Sequence, residues 1–188
     1  MEQFCSGSGF VLDSNAIIDL IEDREDSYPI RRLVNQWRNG KVQLSVCAVS
    51  ASENVQKSAG ETTRSVAAFK EKLVRAGLDE ADVLRPLLLF DFSFWNETIW
   101  PDDRGQYLYD RLVELLVPAG LHDPPDAPES NSKWRNELCD VMIAWCCIYH
   151  GWPNLVTRDA QRFHKAGRKE ALRKMGLTVI HPNASPAS

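Results

Sequence analysis

Four acids stand out by where they fall. Asp13 closes the apolar run FVLD, and Asp159 closes NLVTRD. Glu53 follows VQLSVCAV at the start of the next segment. Asp140 lies inside CDVMIAWCCIY, a run apolar on nearly every side. A carboxylate there is costly unless it is paired, hydrogen-bonded or bound to a metal. Converging carboxylates suit a hard cation such as Mg²⁺ or Mn²⁺. Held beside a phosphate, such a cation activates water and stabilises the leaving oxygen. Each acid also has a plainer reading. Asp13 can cap a helix, Asp159 can cap or turn, Asp140 can pair with a buried Arg such as Arg135, and Glu53 can be a first-turn acid.

These acids need a scaffold that gathers them. FVLD reads as a buried strand, and SNAIIDLIEDRED after it as a helix capped by Ser14 or Asn15. A second helix runs from Pro29 to Gly40, and residues 42–49 read as the second strand. A helix is expected from about Ala51, and residues 61–83 read as helical. The third strand is expected in RPLLLFDFSFW. Residues 104–117 read as a helix, and a Pro-rich loop follows. KWRNELCDVMIAWCCIYHG reads as an apolar helix closed by Gly151. Asn136 lies one turn before Asp140 on the same face and is placed to assist it. NLVTRD reads as a strand, QRFHKAGRKEALRKMG as a polar helix, LTVIHP as the last strand, and NASPAS as a tail. The alternation predicts a layered α/β domain with a mainly parallel sheet. In such sheets ligands bind beyond the carboxyl ends of the strands, which is where Asp13, Asp159 and Glu53 fall. A single domain is expected over 1–183, with an extended middle segment around 86–133 and a loose end at 184–188.

The chain has 188 residues and a net charge of −4, from 22 Lys+Arg and 26 Asp+Glu. That balance argues mildly against broad non-specific binding to nucleic acid. The charges are nonetheless patterned. Residues 13–26 are acidic with Arg24 as their one base, and residues 158–174 carry seven Lys/Arg against Asp159 and Glu170. Arg158 and Arg162 are candidate phosphate contacts, with a solvated helix face as the equal alternative. His164 reads as a surface residue of the polar helix, and Glu137 as a solvated acid or a further ligand. Trp95 and Trp100 have base stacking or a protein partner as alternatives to core packing. The 5 Cys show no zinc spacing. Four lie in apolar runs, which fits small buried hydrophobes and a reducing cytoplasm. No signal peptide and no membrane span are expected.

At these residues the chain resembles the PIN-domain nucleases. FVLDSNAIIDL, SVCAVSASEN, NELCDVMIAW, NLVTRDAQRFHKA and MGLTVIHP occur in the family's order and span nearly the whole chain. The resemblance implies a three-layer α/β sandwich and metal-dependent phosphodiester cleavage, usually of RNA. It carries the metal role onto Asp13, Glu53, Asp140 and Asp159. It also makes Asn15 and Thr157 groups that orient carboxylates or waters. Many small proteins of this kind are toxins that are held inactive by an antitoxin and often form homodimers. Ser14 stands where Thr is common, and residues 86–133 exceed the compact members. A silent regulatory or binding protein, and a DNA nuclease or phosphatase on the same carboxylates, are the alternatives.

Overall fold

FVL is apolar throughout because it runs through the middle of a sheet covered on both faces. The structure is a computed structural model and describes residues 9–24, 27–51, 66–88, 98–100, 102–121, 132–159 and 162–184. Strand β1 (Gly9–Leu12) leads into helices α1 (Ser14–Glu22) and α2 (Ser27–Arg38), then β2 (Gln43–Cys47). Helix α3 (Val66–Ala76) and β3 (Asp82–Leu84) follow, then α4 (Asp103–Leu116) and α5 (Ser132–Tyr149). The described elements end with β4 (Asn154–Val156), α6 (Ala166–Lys174) and β5 (Thr178–Ile180), with short 3₁₀ turns between and after them.

The five strands form one sheet in the order β3-β2-β1-β4-β5, and every pairing is parallel. Leu12 stands opposite Val46 on one side and Val156 on the other. Alternate residues of β1 enter different layers, as the two-residue period of a strand requires. Leu12 packs with residues of α1, α2 and α3, including Ile17, Val34 and Phe69. Val11 packs with residues of α4 and α5 and with Leu172 of α6. The chain is therefore an α/β sandwich of three layers around a parallel sheet, as the alternation predicts.

Two boundaries differ from those read in the sequence. The third strand is Asp82–Leu84, overlapping the end of the stretch expected to be helical. Gly77, at φ +68°, ends α3 in a conformation that glycine takes without strain and makes room for this edge strand. Of RPLLLFDFSFW, Leu87 makes one parallel bridge with Ile99, and residues 89–97 lie outside the described residues. The second difference is at α6, which begins at Ala166, so His164 precedes the helix. Trp100 is 68% exposed, so core packing does not account for it. Glu53, Trp95, most of the Pro-rich loop and residues 185–188 lie outside the described residues. No described helix is long and apolar enough to cross a membrane. Cys47, Cys139, Cys146 and Cys147 are all buried thiols, as their apolar surroundings predict.

Helix α5 carries Asp140, and α4 holds it in place. Trp145 is fully buried, stacks on Tyr149 at 4.3 Å and donates its indole N–H to the Gly105 carbonyl at 2.8 Å. Asp102 caps α4 by accepting from Gly105 N at 2.6 Å, and its other oxygen accepts from Tyr149 Oη at 3.1 Å. A Cβ on Gly105 would come within 2.9 Å of Asp102 Oδ1 and 3.2 Å of the Trp145 ring. One carboxylate thus fixes both the helix start and the α4–α5 contact. Asp102→Ala is expected to lower stability by about 1–2 kcal/mol, with Asp102→Asn recovering most of it. Urea midpoints measure this, and an unchanged midpoint in Asp102→Ala would refute the capping role.

Candidate active site

From β1 the chain steps through β2 to β3 on one side of the sheet, whereas β4 and β5 lie on the other. The order therefore reverses between β1 and β4, and their carboxyl ends frame the crevice where α/β sheets bind ligands. Asp13 follows β1, and Thr157 and Asp159 follow β4.

Asp13 is 3% exposed. Its backbone N–H donates to the Val156 carbonyl at 3.0 Å, extending the β1–β4 ladder by one bond. Its Oδ1 accepts from Ser14 N at 2.7 Å, so the residue also caps α1. Oδ2 accepts from Thr157 Oγ1 at 2.6 Å and, at 3.4 Å, from Asn15 Nδ2. Thr157 in turn accepts from Asp159 N at 3.0 Å. Because Thr157 accepts from a backbone N–H, its own proton points at Asp13. The hydroxyl thereby ties the Asp13 carboxylate to the backbone of Asp159. Burial pushes the Asp13 carboxyl above its ordinary value; the Thr157 and Ser14 hydrogen bonds oppose that, and the nearby Asp159 charge adds to it.

Asp159 Oδ1 accepts from the backbone N–H of Arg162 at 2.8 Å. The side chain of Arg162 reaches the other way, to α5. There its Nε lies 3.2 Å from Asp140 Oδ2, and its Nη2 pairs with Glu137. Asp140 is 17% exposed in its side chain and Glu137 only 1%. Glu137 is therefore a buried acid rather than a solvated one, and Arg162 is an arginine on Asp140. Asn136 is exposed on α5, and Glu137 is the residue that shares Arg162 with Asp140. Arg158 turns to the opposite layer, where its Nη2 lies 2.7 Å from Asp19 Oδ1. Asp19 is fully buried in α1 and also pairs with Arg24 at 3.4 Å. Both arginines read as phosphate contacts are thus engaged with acids of the chain. His164 is half-buried, with Nε2 3.0 Å from the Thr157 carbonyl, and so props the turn that carries Thr157.

Sequence reasoning passed over Asp19 and took Glu137 for a solvated acid or a further ligand. Both had a signal. Asp19 falls between Ala16 and Leu20 on the apolar side of α1, and Glu137 is flanked by apolar residues at Leu138 and Cys139.

No family model and no curated protein matches the chain. Among solved structures the chain is similar to one in the crystal structure of VapBC2 from Rickettsia felis bound to a DNA fragment from their promoter. The identity is 15% and the TM-score 0.45, over 92% of this chain and 98% of that one. A likeness at that level adds no argument about chemistry. The topology and the carboxylates speak for themselves.

The donors are those a hard divalent cation takes: carboxylates, with a hydroxyl orienting one of them. Among the described residues no group of three or more His, Cys, Asp or Glu is close enough together to hold a metal ion. The acids present therefore match a divalent cation in donor type but are not gathered into a set of ligands for one.

The pH dependence of stability follows from Asp13. An acid whose value is raised in the folded state binds its proton more tightly there than in the unfolded chain. Its contribution is full below the unfolded value of 3.8 and is lost as pH rises through the folded value. In metal-free buffer, Asp13→Asn is expected to show a higher urea midpoint than wild type at neutral pH. That difference should close as the pH falls into the acid limb. A lower midpoint for Asp13→Asn at neutral pH would contradict the assignment.

Proposed function

We propose that this chain is a metal-dependent nuclease that hydrolyses RNA phosphodiester bonds. The observation that carries the reading is the buried Asp13 at the switch point of a parallel sheet, joined through one threonine hydroxyl to the backbone N–H of Asp159. A buried carboxylate kept at a strand end, at a cost in stability, is what a functional site looks like. Asp13, Asp140 and Asp159, with Glu53 by resemblance, would hold Mg²⁺ or Mn²⁺, which supplies an activated water and charge stabilisation at phosphate. Thr157 and Asn15 orient Asp13, and the Arg162 backbone N–H orients Asp159. RNA as the substrate, an antitoxin partner and a homodimer rest on the resemblance of the ordered segments to PIN-domain nucleases. Arg162, which neutralises part of the acidic cluster by itself, favours a second reading in which the fold is kept for regulation without cleavage.

One experiment separates the readings. Purified protein is incubated with labelled RNA or single-stranded DNA, with Mn²⁺ or with chelator. Cleavage of RNA with Mn²⁺ and none with chelator is expected. Thr157→Val should lower the rate by about 10- to 100-fold, and Asp13→Asn by more. Thr157→Ser, which keeps the hydroxyl, should recover most of the loss. An Asp13→Asn protein that cuts as well as wild type would sink the assignment. Wild type that cuts neither nucleic acid would leave the regulatory reading standing, and cleavage of DNA alone would replace the substrate.

A further inference from the structure

Away from the carboxylates, three arginines line one cavity. It has a volume of about 350 Å³ and lies between the end of α1, helix α2 and the end of α3. The chain passes from α2 into β2 and from α3 into β3, so it enters both strands from this end. The cavity therefore sits at the amino ends of the strands, whereas Asp13, Thr157 and Asp159 sit at carboxyl ends. Arg31, Arg38 and Arg75 line it, and no lining residue is an acid. The whole chain has a net charge of −4, so this gathering of cations does not follow from composition.

Two of the guanidinium groups are held in place. Arg31 donates from Nε to Ser27 Oγ at 3.2 Å and from Nη2 to the Leu20 carbonyl at 3.3 Å, and the same Nη2 pairs with Asp23 at 2.6 Å. Arg38 donates from Nη2 to the Gly77 carbonyl at 2.8 Å. It crosses the space where a side chain at position 77 would stand, since a Cβ on Gly77 would collide with Arg38 Nη2. Gly77 thus serves the cavity as well as the end of α3. Arg75 is exposed and makes no hydrogen bond or ion pair among the described residues. Groups fixed before a ligand arrives cost little further ordering on binding. Cations gathered without an anion repel one another, and an anion relieves that repulsion. The other wall is apolar, with Leu20, Val34 and a Val74 that is 62% exposed.

We propose that this cavity binds a small organic phosphate monoester of about mononucleotide size. A cavity of this volume, with an apolar wall and a few convergent polar groups, suits a small organic ligand. Guanidinium forks match the oxygens of phosphate. Arg31, Arg38 and Arg75 take the phosphate, and Val34 and Val74 cover the apolar body. Arg38 keeps its bond to Gly77 through one nitrogen and offers the others. An occupant bridges α2 and α3, two helices of one layer. The inference uses no residue of the candidate active site and does not depend on the metal reading.

Isothermal titration calorimetry in chelator tests this, with adenosine monophosphate and uridine monophosphate as probes. Chelator removes any contribution from a divalent cation. Inorganic phosphate, adenosine and a short RNA are titrated alongside. One-site binding of a monophosphate is expected, with weaker binding of inorganic phosphate and none of adenosine. Arg75→Met should weaken it about tenfold or more, the contribution of one hydrogen bond to a charged group. Val74→Glu, which puts an acid on the exposed wall, should abolish it. Both positions are exposed, and an unchanged urea midpoint verifies that each variant folds. Asp13→Asn should bind as wild type does. Wild type that binds neither monophosphate, or binding unchanged in Arg75→Met and Val74→Glu, would overturn the site. Loss of binding in Asp13→Asn with both cavity variants intact would place the ligand at the other end of the sheet and also overturn it. Inorganic phosphate bound as tightly as the monophosphates would overturn the organic ligand, and binding of RNA alone would overturn the small-molecule assignment.

Discussion

Keeping a carboxylate buried at the carboxyl end of β1 is the constraint around which the rest is arranged. Asp13 is almost wholly removed from water, and burial by itself disfavours its charge. Three donors offset that: Ser14 N, the Thr157 hydroxyl and, more distantly, Asn15. Ser14 N is available because α1 starts at that point, and its first N–H groups have no partner within the helix. Thr157 is available because β4 lies beside β1 and ends in register with it. The sheet order thus does chemical work. Had β2 or β3 followed β1 on both sides, the hydroxyl and Asp159 would stand elsewhere.

The turn after β4 is held from both layers. Arg158 reaches Asp19 on α1, in the layer of α1, α2 and α3. Arg162 reaches Glu137 and Asp140 on α5, in the other layer. Asp159 lies between these two arginines, so its position is fixed by opposed ties rather than by its own contacts alone. Each tie joins a partly exposed arginine to an acid with almost no exposure. Such pairs add little net stability over apolar packing, yet breaking one is severe because the acid remains buried. Their value is geometric. They set where the chain after β4 can lie, and they make that position hard to change one residue at a time.

The architecture was legible in the sequence because strand and helix periods differ and because FVLD, VQLSVCAV and NLVTRD are bounded apolar runs. Asp13 and Asp159 were legible for the same reason, since a strand end is a place that sequence can locate, whereas Thr157 entered only through the family resemblance. The third strand was not. Asp82–Leu84 is an edge strand of three residues with two of them exposed, and it is too short to show a period beside the stronger RPLLLF run. The ion pairs were not legible either. Arg158 and Arg162 lie in a basic stretch that reads as a surface, and nothing in a one-dimensional pattern says which acids across the fold they meet. Glu137 was misread because a helix with little amphipathicity does not announce which face carries a charge inward.

Resolving those pairs changes the electrostatics of the site. Of the seven cations in residues 158–174, Arg158 and Arg162 turn inward to acids and Arg173 pairs with Glu170. Lys165, Lys169 and Lys174 are exposed, on or beside α6. The outward positive charge of this stretch therefore belongs to α6 rather than to the residues flanking Asp159. A phosphate backbone drawn in by α6 would meet repulsion at the acids themselves. Under the proposed chemistry a divalent cation reverses that sign locally, so the same carboxylates that repel a bare polyanion become its anchor once the cation is held.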